Sequence, residues 1–200
     1  MIILQLDIVE VDSNMNNKAE MGVGTLIIFI SLLLVAAVAA GVLIQTSGSL
    51  QQRALSTGSQ ATSQISTNAL TLEVSGTDGL NGQVDNFTQL MRLAPGSDPI
   101  KLDQVTLSLA SKNTSQSFQY VNASVGSTTE FSVNYLQQGD SYQEGVLVRG
   151  DVIEINYVGV RQFSSGENLR VNFIPKIGTA TLTQFSIPDV VSTQRVYLYP

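Results

Sequence analysis

Three patterns of apolar positions follow one another along the chain. Met21 to Ile44 reads MGVGTLIIFISLLLVAAVAAGVLI, in which only Thr25 and Ser31 are neither apolar nor glycine. An α-helix rises ~1.5 Å per residue, so about 20 such residues cross a hydrocarbon layer of about 30 Å. The pattern predicts a helix long and oily enough to span a membrane.

Beyond Ile44 the helical pattern continues but turns polar, through QTSGSLQQRALSTGSQATSQISTNALTL. At 100° per residue Leu43, Leu50, Ala54, Ala61, Ile65 and Leu72 fall within a sector of roughly 60°. Such a narrow stripe suits a seam between helices. The helix is expected from near Gly22 to about Asn68, a rod of roughly 70 Å. Gly48 and Gly58 each weaken it by about 1 kcal/mol relative to alanine, which predicts a local kink or break.

From about Leu70 the period changes to two. Val105, Leu107 and Leu109 alternate with polar or small residues, as do Phe118 with Tyr120, and Phe131, Val133 and Tyr135. Ile153, Ile155 and Tyr157, then Val171 and Phe173, Leu182, and finally Val196 and Leu198 repeat the theme. Pro95-Gly96, Gly139-Asp140, Arg149-Gly150-Asp151, Ser165-Gly166 and Ile177-Gly178 separate these runs as turns. Short alternating strands with regular turns predict an antiparallel β-sandwich. The fold class is therefore α+β, a long N-terminal hydrophobic helix followed by an immunoglobulin-like antiparallel sandwich. The expected divisions are a leader over 1–19, a helix over 20–68 and a β domain over 69–200.

Composition narrows the chemistry. The chain holds no His, Cys or Trp, which removes the commonest general base, the commonest nucleophile pairs and most zinc and iron–sulfur ligation. A formal charge of −6 with scattered basic residues argues against nucleic acid as a partner. Gly22-Val23-Gly24 starts like a dinucleotide loop, but no third glycine follows and no strand precedes it. Asp98 with Asp103, and Asp151 with Glu154, are spaced as carboxylate pairs but read as surface charge at turns. No catalytic residue, cofactor or metal ligand is expected, and a structural cation in the β domain would have no assignable ligands.

Charge is absent between Glu20 and Arg53. Inside that gap Ala36/Ala40 and Ala37/Gly41 have the small-xxx-small spacing that permits close helix approach in apolar surroundings. Val35, Val38 and Val42 lie beside them and are expected to set the packing. The β region carries the N-glycosylation sequons Asn86-Phe87-Thr88, Asn113-Thr114-Ser115 and Asn122-Ala123-Ser124. Asn113 is favoured because Ser111–Ser117 reads as a turn.

Residues 1–19, MIILQLDIVEVDSNMNNKA, read as a leader, although Asp7, Glu10 and Asp12 outnumber Lys18 where a secretory leader is basic. Met15 offers a cleaner start, with the short leader MNNKA, and residues 1–14 are read as preceding the true start. Glu20 to Ala54, EMGVGTLIIFISLLLVAAVAAGVLIQTSGSLQQRA, closely resembles the N-terminus of archaeal flagellins (archaellins). LMRLAPGSDPIKLDQVTLSL, Leu90 to Leu109, and the C-terminal VNFIPKIGTATLTQFSIPDVVSTQRVYLYP continue the resemblance. The three blocks cover somewhat under half of the chain.

The resemblance implies a structural subunit of the archaeal flagellum filament, related to type IV pilins and polymerising through its N-terminal helix for swimming. It implies a membrane-inserted precursor and a prepilin-type peptidase that cuts at Ala19–Glu20. It further implies N-glycosylation, an extracellular filament and an ATP-driven motor in the cell envelope. At the cut site Ala19 replaces the usual glycine, a single lysine precedes it, and Glu20 becomes the first mature residue. Two other readings use the same parts: an adhesive type IV-like pilus subunit, and a single-pass anchored surface binding module. The polar helical extension from Gln45 to Asn68 speaks against the anchored module, and the C-terminal resemblance speaks against the pilus.

Overall fold

The computed structural model describes residues 3–79, 82–123, 125–191 and 193–200, with side chains from Ala19 onward. One helix, α1 (Ile3–Ser66), precedes the strands β1 (Ala69–Gly76), β2 (Gln83–Leu93), β3 (Ile100–Lys101), β4 (Val105–Ala110), β5 (Ser115–Tyr120) and β6 (Glu130–Gln137). These are followed by β7 (Val146–Leu147), β8 (Val152–Ser164), β9 (Asn168–Pro175), β10 (Thr181–Ser186) and β11 (Val196–Tyr199). Contacts divide the chain into two compact units, Met1–Thr57 and Gly58–Pro200.

The helix departs from expectation at both ends. It begins well before Gly22 and ends at Ser66, two residues short of Asn68. No break in helical assignment marks Gly48 or Gly58. A penalty of about 1 kcal/mol per glycine is offset where alanine, leucine and glutamine on either side favour the helix. Leu72, placed on the helical seam by the wheel, lies instead in β1, so that seam stops at Ile65.

Several hydrogen bonds end the helix. The Thr67 amide donates to the Ser63 carbonyl (3.0 Å) in the last turn, and the Thr179 amide donates to the Thr67 carbonyl (2.8 Å). The Ser97 hydroxyl accepts from the Asn68 amide (3.0 Å) and lies 3.1 Å from the Ser66 carbonyl. Gly178 makes room for this junction. Its φ is +118°, and a Cβ there would sit 2.6 Å from the Thr67 carbonyl oxygen. Both the conformation and the space require glycine.

The β region forms one sheet in the order β10-β9-β4-β5-β6-β8-β2-β1-β11, with β3 and β7 paired in a separate ribbon. Every neighbouring pair is antiparallel except β5–β6, which is parallel and joins the two halves of the sheet. The halves face each other across a common core. Phe118 of β5 meets Tyr157 of β8 at 5.2 Å between ring centroids, and Phe87 of β2 meets Phe185 of β10 at 6.3 Å. Phe87 also stacks on Tyr157 at 5.6 Å and meets Phe163 edge-on at 5.7 Å.

Alternation explains most of this packing. Val105, Leu107 and Leu109 point inward, as do Ile153, Ile155 and Tyr157, and Val171 and Phe173. β10 differs from the simplest reading, because Leu182 is exposed while Thr183 and Phe185 face in. The buried Thr183 hydroxyl bonds that of Thr71 (2.9 Å), which also accepts from the Gln89 amide (2.9 Å). A polar trio therefore crosses the layers, although the buried Gln89 Oε1 has no partner among the described residues.

Asp151 corrects the reading of surface charge. It is buried, and its carboxylate accepts from the Gly139 amide (2.7 Å) and the Val148 amide (3.0 Å). It holds two loops together, while Glu154 accepts from the Asn156 side chain (3.1 Å) and the two acids do not act as a pair. Asp98 and Asp103 are exposed.

A second acidic pair was not singled out by the sequence. Asp78 accepts from the backbone amides of Asp85 and Asn86 (3.2–3.3 Å). Asp85 is pushed up to about 6, first by its hydrogen bond to Asp78, then by burial and by the charge on Asp78. A raised carboxyl stabilises the folded form most below its ordinary value of 3.8, and that stabilisation fades as pH rises through about 6.

Melting temperature should therefore carry a falling component between pH 4 and 6.5 that Asp85→Asn removes; an unchanged pH profile would count against the shared proton. In the core, Phe87→Ala should lower unfolding free energy in urea by about 3–5 kcal/mol. Tyr157→Phe should be neutral or stabilising, because the buried Tyr157 hydroxyl has no partner among the described residues.

Candidate assembly surface

The sites expected from sequence fall into two groups, one on α1 and one on the β region. On α1, Met21 to Ile44 presents its large apolar side chains to the outside. Leu26, Ile30, Leu34, Val38, Val42 and Ile44 are all exposed, with Val38 at 68%. Isolated apolar residues are ordinary on a protein surface, but an uncharged apolar sleeve of this length marks a surface made to be covered.

The polar groups on the sleeve are already satisfied. The Thr25 hydroxyl donates to the Gly22 carbonyl (2.9 Å), Ser31 to Ile27 (2.8 Å), Thr46 to Val42 and Ser49 to Thr46 (2.9 Å). Each returns to its own helix and needs no water, which lowers the cost of apolar surroundings. Thr25 and Ser31 read in the sequence only as interruptions of the apolar run, although Ser and Thr inside a helical run are the signal for such back-bonding.

The small residues occupy distinct rows. With 3.6 residues per turn, Ala36/Ala40 and Ala37/Gly41 lie about 100° apart around the helix. Val35, Val38 and Val42 form a third row about 100° beyond Ala37/Gly41. A Cβ added at Gly41 would meet nothing within 4 Å.

Ala19 and Glu20, the expected processing site, are exposed and lie within the helix. The side chains of Asp7, Glu10, Asp12, Met15 and Lys18 fall outside the described residues.

The sequons differ in setting. Asn113 is exposed in the β4–β5 turn, closed by the Ser111 amide donating to the Thr114 carbonyl (2.7 Å). That turn is shorter than expected, since β5 already begins at Ser115. Arg161 supports it, donating to the Thr114 hydroxyl (3.2 Å) and ion-pairing with Glu167, which also accepts from the Ser111 hydroxyl. Arg161 holds the Glu167 carboxyl below its ordinary value. The Ser165-Gly166 turn between Arg161 and Glu167 was the available signal that they would meet. Asn122 is exposed, its amide donating to Glu144 (3.0 Å), while Ser124 of its sequon lies outside the described residues. Asn86 is half-buried within β2, and its partner Thr88 is buried and donates to Asn156 (2.8 Å).

Among the described residues no three His, Cys, Asp or Glu side chains are grouped to hold a metal ion. The chain's geometry concentrates chemistry of association instead.

Comparison with known proteins agrees with this geometry. The family model for archaeal-type flagellin matches residues 19–185. Flagellin B1 of Natrialba magadii is 32% identical over 182 residues, covering 86% of this chain and 90% of that protein. Flagellin B1 of Thermoplasma volcanium is 44% identical over 120 residues, covering 57% of this chain and about half (49%) of the relative. The solved archaeal flagellum of Methanospirillum hungatei shares the fold at 15% identity, with a TM-score of 0.67 over 88% of this chain and 98% of that one. The chain belongs to the archaeal-type flagellin family, the structural subunits of archaeal flagellum filaments and not enzymes.

Proposed function

We propose that this chain is inserted in the membrane as a precursor, loses residues 1–19 to a prepilin-type peptidase at Ala19–Glu20, and then polymerises through α1. The extracellular filament serves swimming, turned by a motor in the cell envelope. The observation that carries this reading is the exposed, uncharged sleeve of α1 with its hydroxyls returned to its own backbone. Such a surface is equally at ease among lipid chains and among neighbouring helices, so transfer between them is near neutral in hydrophobic energy.

In this reading Ala36, Ala37, Ala40 and Gly41 admit neighbouring helices on more than one side, and Val35, Val38 and Val42 fill the remaining space. The β region, over 69–200, faces outward and carries glycans at Asn113 and Asn122. Asn86 is disfavoured because a glycan there would have to leave a half-buried position in the sheet.

Sheared surface filaments should yield a protein that starts at Glu20, with mass excess on peptides containing Asn113 or Asn122 and none on that containing Asn86. Recovery of an uncut, membrane-extracted monomer without filaments would defeat the proposal. Ala37→Leu or Gly41→Leu should abolish filaments while the protein still accumulates in the membrane fraction. Normal filaments from either variant would rule out the small-residue packing.

A further inference from the structure

Two adjoining hollows open on the outer face of β4, β9 and β10. One, of about 350 Å³, is lined by Ala110, Ser111, Lys112, Asn168 and Arg170. The other, of about 410 Å³, shares Asn168 and Arg170 and extends to Gln184 and Ser186. Both have the size of small-ligand sites. Strand register accounts for their place. Arg170 of β9 pairs with Ala110 of β4 on one side and with Gln184 of β10 on the other, and the short Ala110 side chain leaves room beside the arginine.

The lining is suited to one kind of ligand. Lys112 and Arg170 are exposed, and among the described residues neither joins an ion pair. Asn168 and Gln184 offer amides and Ser186 a hydroxyl, groups that both donate and accept hydrogen bonds. The Arg170 fork fits a carboxylate or sulfate, Lys112 adds a point charge, and the amides suit ring hydroxyls. An acidic carbohydrate carries all of these partners.

The hollow also adjoins an attachment point. Lys112 immediately precedes Asn113, which is exposed in the β4–β5 turn. That turn is closed between Ser111 and Thr114 and braced by Arg161, so a group on Asn113 leaves from the rim of the hollow. A free anion is repelled by the formal charge of −6 on the chain. A tethered one is held at an effective concentration on the order of millimolar.

We infer that the hollows at Lys112 and Arg170 bind the outer sugars of the glycan on Asn113, and that this glycan bears a carboxylate or sulfate. The inference rests on the glycan proposed above at Asn113. The sugar chain then lies along β9 as part of the surface of the sheet.

The test acetylates amines on sheared filaments and follows Lys112 by peptide mass, with Lys101, exposed on β3, as the internal standard. Lys112 should react about three- to fivefold more slowly in the parent than in Ser115→Ala, which removes the sequon and keeps Asn113. Arg170→Gln should keep the mass excess at Asn113 yet speed Lys112 acetylation by a similar factor, which separates a held glycan from one that merely shades its neighbour. Sugar analysis of the Asn113 peptide should find a uronic acid or a sulfated sugar and so distinguish the two anions. Fast acetylation in the parent and Ser115→Ala alike, a parental rate in Arg170→Gln, or a glycan without acid would overturn the binding and leave Asn113 glycosylated. Slow acetylation that persists in Ser115→Ala would overturn it in favour of a neighbouring copy covering this face. No mass excess at Asn113 would remove the glycan and the inference with it.

Discussion

Everything in this chain is subordinate to one requirement, that an uncharged apolar helical surface from Met21 to Ile44 be kept out of water. No Asp, Glu, Lys or Arg interrupts it, and burying such a surface is worth about 25 cal/mol per Å². Its large apolar side chains are exposed, and lipid or other copies are surfaces that can cover them. Charge returns at Arg53, and the sequence turns to Ser, Thr and Gln before the sheet begins. The change from oily to polar occurs within a single helix, so one element carries both characters.

The β region meets the opposite demand. Its stability comes from its own interior, where aromatic rings from both halves of the sheet interlock around Phe87, Phe118 and Tyr157. The single parallel pairing, β5–β6, makes the two halves one hydrogen-bonded surface. Outward positions are rich in Ser, Thr, Asn and Gln, which hydrate well without charge, with single charged residues scattered among them. Where a charge is buried, at Asp151, two backbone amides meet it.

Legibility from sequence followed the strength of the physical signal. The helix and the strands from β4 onward, apart from the two-residue β7, were readable because period 3.6 and period 2 recur along the chain. Helix ends were not, since they depend on partners distant in sequence, such as Ser97 and Thr179 at the Ser66–Asn68 junction. Leu72 fitted the helical stripe by angle alone and lost to sheet pairing. Leu182 drew attention as the apolar residue of β10, yet the inward positions were Thr183 and Phe185, because Thr71 opposite supplies a hydroxyl. Asp151 looked like turn charge, and only the approach of the Gly139 loop reveals its role. The exposed setting of Asn113 was legible from its turn. The half-buried setting of Asn86 was not, because β2 alternates weakly and is interrupted by a bulge between Val84 and Asn86.

The back-bonded hydroxyls of Thr25, Ser31, Thr46 and Ser49 have a consequence for supply. An apolar sleeve whose hydroxyls are met by its own backbone gains nothing by entering water, so on the proposed route free subunits have no aqueous reservoir to speak of. On that route the pool that feeds a growing end is two-dimensional, spread in the plane of the bilayer. Elongation then scales with surface density and lateral diffusion, and a broken filament adrift in the medium has no source from which to regrow.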